Sequence, residues 1–119
     1  MNTVQKGKQG ERVALKYLCR HEYKIVDKNY YSRWGEIDII AYDKKEKELV
    51  FIEVKSRGSD KYGLPENAVD ENKLERLFRT AETYLLKNYY EGNYRFDCLA
   101  IEFNYRIRLA KIKHYKNIS

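Results

Sequence analysis

Residues 34–57, WGEIDIIAYDKKEKELVFIEVKSR, constrain the fold more than any other stretch of the chain. Two alternating apolar runs, Ile37, Ile39, Ala41 and Val50, Ile52, Val54, flank the charged connection DKKEKE, which is the pattern of a β-hairpin. The lysines and glutamates of that connection read as a solvated turn with no function. Side chains alternate along a strand, so the other face carries Glu36, Asp38, Glu53 and Lys55. A turn centred between Lys45 and Glu46 sets Glu36 opposite Lys55 and Asp38 opposite Glu53, with Cβ atoms ~5 Å apart. Two facing carboxylates repel, which destabilises an ordinary sheet. A divalent cation between them reverses the sign, and Mg²⁺ or Mn²⁺ takes oxygen ligands of this kind. Lys55 brings an ammonium to the same place, where it can balance charge on a phosphate. The competing reading is a set of cross-strand ion pairs on a wet sheet face. Ile39, Ile40, Phe51 and Ile52 beside the charges argue instead for a central strand pair, and partly buried carboxylates need a partner.

The rest of the chain surrounds this hairpin with recognisable elements. Val4, Val13, Ala14, Tyr17 and Leu18 recur at helical spacing and predict a helix over residues 3–21. Gly7 and Gly10 weaken that helix or mark a close backbone approach. YKIVDKNYYS is β-branched and aromatic and predicts the first strand. After the hairpin, GSDKYGLP (58–65) is turn-forming. A second helix is expected from about Pro65 to Tyr90, with an apolar stripe of Val69, Leu74, Leu77, Phe78, Ala81, Tyr84 and Leu85. EGN at 91–93 breaks it. YRFDCLAIEF and RIRLAKIKHY then read as two strands joined at Asn104–Tyr105. The order α-β-β-β-α-β-β predicts an α/β fold in which a mixed central β-sheet is flanked by helices. The second helix serves as a crossover, so the strand after it runs parallel to one in the meander.

Composition bounds the function classes. A chain of 119 residues with 43% hydrophobic and 35% charged content reads as one globular domain. Its net charge of +6 favours polyanionic partners, and a nucleic acid fits better than a membrane because no strongly basic amphipathic helix is present. No apolar run is long enough to span a bilayer, and MNTVQKGKQGER lacks the apolar stretch of a secretory signal. Cys19 and Cys98 have no metal-like spacing and read as small buried hydrophobes, so a cytoplasmic location is expected. His21 and His114 are far apart and form no zinc or nucleophilic arrangement, and GKQG lacks the spacing of a phosphate loop.

Asp38 followed by Glu53-Val54-Lys55 resembles the D…(D/E)-x-K signature of the restriction-endonuclease-like superfamily. The chain is similar more narrowly to the YraN-like family of small bacterial proteins, relatives of the archaeal-type Holliday junction resolvases. The likeness rests on GKQGERVA (7–14), GEIDIIA (35–41), FIEVKSR (51–57), AVDENK (68–73) and RFDCLAI (95–101), and covers nearly the whole chain. Ile37 stands where the superfamily's name has Pro, a position that supplies strand geometry and no ligand. The resemblance implies a restriction-endonuclease-like fold with its metal site on the second and third strands. Asp38 and Glu53 would hold Mg²⁺ or Mn²⁺, the Val54 carbonyl is a third candidate, and Lys55 would be the catalytic lysine. Glu11 matches an acidic residue that related resolvases bring from the first helix; its plain alternative is a solvent-facing glutamate. Branched-DNA cutters of related families often act as dimers, so a homodimer is one expectation.

Arg33, Arg57 and Lys61 flank the hairpin in loop-like context and could hold phosphates, or be ordinary surface charge. Lys73, which matches a family position, ranks above them, while Arg76 and Arg79 read as a solvated face. Trp34 and Tyr62 could stack on bases, although aromatics near a hairpin more often pack. Arg106, Arg108, Lys111, Lys113 and Lys116 make a basic C-terminus that would widen a nucleic-acid footprint. The expected function is metal-dependent endonucleolytic hydrolysis of DNA phosphodiester bonds. The alternatives are a non-catalytic nucleic-acid-binding or partner-recruiting module that keeps the fold, and a tyrosine-rich interaction domain.

Overall fold

The computed structural model describes residues 3–58 and 71–119, with side chains described over 7–56 and 71–119. The elements are α1 (Thr3–Arg20), β1 (Tyr23–Ser32), β2 (Gly35–Asp43), β3 (Glu48–Gly58), α2 (Glu71–Lys87), β4 (Tyr94–Asn104) and β5 (Leu109–Tyr115). The five strands form one mixed sheet in the order β1-β2-β3-β4-β5, antiparallel throughout except for the parallel β3–β4 pair. α2 therefore lies in the crossover that a parallel connection requires.

The helices cover opposite faces. Ala14 and Leu18 of α1 bury Ile39, Ala41, Val50, Ile52, Leu99 and Ile101. Leu77, Ala81 and Tyr84 of α2 pack with Ile37, Ile40, Leu49, Phe51 and Phe96. Each large side chain so buried stabilises the fold by roughly 1.5–3 kcal/mol. Strand alternation accounts for this division at every β2 core position except Ile37, which joins the α2 face although Ile39 and Ala41 lie on the α1 face. The expectation of a single face is corrected here, and the neighbouring backbone gives the reason. Lys28 faces Ile39 and Tyr30 faces Ile37, while Asn29 between them adopts a left-handed conformation (φ 50°) that disturbs the alternation beside Asp38.

Gly10, Ala14 and Leu18 are buried four residues apart, so small side chains bring the N-terminal half of α1 close to the sheet. A Cβ on Gly10 would stand 2.8 Å from Ser56 Oγ and 2.9 Å from Ser56 Cβ, closer than packed atoms allow. Gly10→Ala is expected to push α1 off β3 and to cost about 1–3 kcal/mol in chemical denaturation. An unchanged denaturation midpoint would show that α1 has room to shift.

Several element ends differ from expectation. α2 stops at Lys87 rather than Tyr90. Tyr89 is left-handed (φ 51°), its N–H donates to the Leu86 carbonyl at 3.3 Å, and the Tyr90 N–H donates to Leu85 at 3.0 Å. That is a Schellman closure, made here without glycine. The expected helix start at Pro65, with Val69 and the turn residues 59–65, lies outside the described residues. β5 begins at Leu109 rather than Arg106, because the Asn104 side chain accepts the Arg106 N–H and Arg108 is left-handed (φ 54°), giving a four-residue turn. Cys98 is buried as expected, but Cys19 is exposed.

The end of the sheet where β2 turns into β3 holds a polar network. Arg95 Nη1 donates to Asp43 and Glu48, each at 3.0 Å, Nη2 donates to Tyr23 Oη at 2.9 Å, and Nε donates to Asp97 at 3.0 Å. His114 Nε2 lies 2.7 Å from Asp97 Oδ2, and its Nδ1 lies 2.9 Å from Tyr17 Oη. Glu48 is thus anchored rather than merely solvated, and His114 sits on a carboxylate that its sequence position did not disclose.

Candidate functional site

The β2–β3 register is the one the turn predicts. Asp43 faces Glu48, and the ladder runs on to Ile39 opposite Ile52. It is held at the turn by Asp43 Oδ1, which accepts the Lys45 and Glu46 N–H groups at 3.0 and 3.1 Å. Beyond Ile52 a side chain takes over from the backbone. The Val54 N–H donates to Asp38 Oδ2 at 2.8 Å. β3 meanwhile stays paired with β4 as far as Gly58 opposite Phe103. β2 and β3 therefore part at Asp38 and Glu53, so the expected Asp38–Glu53 and Glu36–Lys55 pairs are not made, and cavities open on both sides of the sheet.

On the α2 side a cavity of about 260 Å³ is lined by Trp34, Gly35, Glu36, Asp38, Glu53, Lys73, Arg76 and Leu77. On the α1 side a cavity of about 320 Å³ is lined by Gly7, Lys8, Glu11, Asn29, Tyr31, Glu36, Asp38, Val54 and Ser56. Glu36 and Asp38 belong to both. Gly35, at the start of β2, has φ +147°, a conformation that side chains rarely adopt, so the two-residue turn into the site requires glycine.

Glu53 is buried and accepts two ammonium groups on Oε1: Lys55 Nζ at 3.3 Å and Lys73 Nζ at 3.2 Å. Burial opposes the charge on both amines. In Lys55 burial prevails, aided by Lys73, and the pKa falls below its ordinary value. In Lys73 contact with Lys55 and attraction to Glu53 outweigh burial, and the pKa rises. Lys55 thus releases its proton more readily than Lys73 does. Burial, then the Glu53 charge, push the Asp38 carboxyl up to about 8, against the Val54 N–H that favours the ionised form. Burial and the nearby Glu36 raise Glu11, against Lys28 and a hydrogen bond with Asn29.

The oxygen donors suit a hard divalent cation: the Asp38 and Glu53 carboxylates, with the Val54 carbonyl a further candidate because Val54 already turns its N–H to Asp38. A carboxyl held near pH 8 by desolvation and a like charge is one that a cation would relieve. Among the described residues no three His, Cys, Asp or Glu stand as a ready metal cage. Mg²⁺ typically takes one or two carboxylates and completes its shell with water and substrate phosphate.

The sequence-predicted residues divide as follows. Asp38, Glu53, Val54 and Lys55 come together where the strands part, Glu11 reaches the α1-side cavity, and Lys73 joins from α2. Arg33 lies in the β1–β2 turn with its guanidinium 4.7 Å from the Trp34 ring centroid. Arg57 belongs to β3 rather than to a loop, opposite Glu102, and its side chain is outside the described residues. Lys61 and Tyr62 are also outside them. Arg76 is exposed, as a solvated face requires, and it also lines the α2-side cavity. The signal was present: Lys73, Arg76 and Leu77 are three and four apart and share one helix face. Arg79 is exposed as expected, but its guanidinium lies 4.6 Å from the Trp34 centroid while it pairs with Glu75.

Comparison with known proteins shows the family. A UPF0102 protein of Persephonella marina is 43% identical over 113 residues, covering 94% of this chain and 90% of its own. One from Syntrophus aciditrophicus is 45% identical over 112 residues, covering 91% and 87%. One from Caldanaerobacter subterraneus is 37% identical over 119 residues, covering 98% and 96%. The profile described as "Uncharacterised protein family UPF0102" matches residues 10–101, a span that holds Glu11, Asp38, Glu53, Lys55 and Lys73, and the chain belongs to this YraN-like family.

Proposed function

We propose that the protein is a metal-dependent nuclease of the restriction-endonuclease-like superfamily, hydrolysing phosphodiester bonds in nucleic acid, with DNA the preferred substrate. The observation that carries this reading is the parting of β2 and β3. It leaves Asp38 and Glu53 desolvated at one cleft, with Lys55 3.3 Å from Glu53. Asp38, Glu53 and the Val54 carbonyl would hold Mg²⁺ or Mn²⁺, and Glu11 would approach from the α1 side. A bound cation supplies an acidified water and a counter-charge for the phosphate.

The chain's own groups do the rest. Lys55, its ammonium 3.3 Å from Glu53, orients the attacking water and balances the charge that builds on the phosphate as the new P–O bond forms and the bond to the leaving oxygen breaks, the water's proton passing to solvent and the leaving oxygen taking one from solvent. Lys73 and Arg76 stand where a phosphate enters the cleft. Lys113 extends the cationic surface: it pairs with Ala100, which pairs with Lys55, so it shares the sheet face of Lys55 about 10 Å away.

A second reading has its own observation. Two lysines already neutralise Glu53, as in a module that keeps the fold and binds nucleic acid without cutting it. A panel of labelled duplex, single strand, flap, four-way junction and RNA, incubated with Mg²⁺ or Mn²⁺, separates the two. Wild type is expected to cleave at least one DNA substrate, and Lys55→Ala to lose at least ~100-fold of that activity without unfolding. Binding that weakens steeply with salt, with no cleavage of any substrate, would establish the second reading.

A further inference from the structure

Two aromatic side chains flank the site without serving either core. Trp34 lines the α2-side cavity and Tyr31 the α1-side one, and neither belongs to a core cluster. Tyr31 is 70% exposed, at a position in β1 directly opposite Glu36. Trp34 sits in the two-residue turn, its ring contacted by the guanidinium groups of Arg33 and Arg79. Both cavities carry cations: Lys73 and Arg76 on one side, Lys8 on the other. They share Glu36 and Asp38, which form the wall between them.

We infer that this pair of cavities is a track for an unpaired strand of nucleic acid. One base stacks at the Arg33–Trp34–Arg79 layer, the phosphate to be cut lies by Asp38 and Glu53, and the next base stacks on Tyr31. The inference rests on the nuclease reading for the position of that phosphate but names what the reading leaves open, the state of the substrate. Aromatic rings and guanidinium planes bind bases through their π faces, and a base offers its face only when unstacked. Inside a duplex those faces are occupied, so Trp34 and Tyr31 would contribute nothing to duplex binding. Glu53 is already paired with Lys55 and Lys73, so affinity for the strand falls to Lys8, Arg76 and the stacking platforms.

Trp34 is the chain's single tryptophan, so tryptophan emission reports this layer directly. The intact protein is titrated in Ca²⁺ with dT and rU oligonucleotides and with a blunt duplex of equal phosphate content. The single strands are expected to quench Trp34 saturably, with the duplex giving little quenching, and the dT and rU arms rank DNA against RNA. By anisotropy, Tyr31→Ala and Trp34→Ala should each weaken single-strand binding by about tenfold, with Trp34→Phe restoring most of it. Arg76→Ala should lower affinity and reduce the salt slope by about one. Equal quenching by duplex, or single-strand affinity unchanged in both aromatic variants, overturns the inference. The readout needs no hydrolysis. Quenching without cleavage in the substrate panel upholds the track and rejects the nuclease, whereas cleavage of blunt duplex without quenching does the reverse.

Discussion

Asp38→Asn is expected to make the metal-free protein more stable while removing at least ~100-fold of any metal-dependent cleavage. The free carboxyl titrates near its ordinary value of ~3.9 in the unfolded chain. In the fold, burial and Glu53 push it up to about 8. The folded state therefore holds this proton more tightly than the unfolded one. Its contribution is most favourable at acid pH, declines as pH rises past the unfolded value, and reaches its full cost above about 8. Asparagine has no such titration and can still accept the Val54 N–H. In urea denaturation with chelator present, the advantage of the variant should grow by about 2–3 kcal/mol between pH 5.5 and 8.5. A constant difference across that range would mean that Asp38 is solvated and that the strands do not desolvate it. A group that costs stability and gains value only with a cation is what separates a site from a structural ion pair.

Arg95→Met is expected to act in the opposite sense, lowering stability by ~3–5 kcal/mol, a large part of the total for a domain of this size. Its guanidinium is 7% exposed and is the shared partner of Asp43 and Asp97, themselves 2% and 0% exposed. Removing it leaves two buried carboxylates with reduced compensation and Tyr23 Oη without that donor. For Asp97, burial is outweighed by hydrogen bonds from His114, Arg95 and the Asn117 N–H. For Asp43, it is outweighed by the Glu46 N–H, Arg95 and the Lys45 N–H. Both carboxyls are held below their ordinary values. Their stabilisation is present above the unfolded carboxyl pKa and is lost as pH falls through the lowered folded ones. The variant should thus be weakest relative to wild type at neutral pH, with the gap narrowing in acid. Arg95→Lys, a point charge in place of a fork, should fall between. If Arg95→Met melts within about 1 kcal/mol of wild type at pH 7, the network does not hold the five strands together.

Much of this molecule was legible in its residues. The alternation around DKKEKE gave the hairpin and its register, because the side-chain period of a strand is two and a symmetric turn leaves one pairing. The three- and four-residue spacing of Val13, Ala14, Tyr17 and Leu18 marked the face of α1, and the α2 crossover implied a parallel pair with a strand of the meander, which proves to be β3. Lys73 entered through family likeness, whereas its neighbour Arg76 was read as a solvated face, which its exposure bears out, and the structure adds that both line one cavity. The β5 start was missed because the Asn104 side chain and the left-handed Arg108 form a turn that composition alone does not mark.

By itself, then, the sequence determined the order of elements and the pairing of β2 with β3 from the turn as far as Ile39 and Ile52, since these follow from short-range periodicity. Only the tertiary structure decided that β2 and β3 part at Asp38, that Ile37 changes face, that Lys73 shares Glu53 with Lys55, and that Arg95 gathers Asp43, Glu48 and Asp97. Each of these depends on a side chain meeting a group far away in the chain. Such contacts are set by how packed elements converge, and no local pattern of residues encodes that convergence.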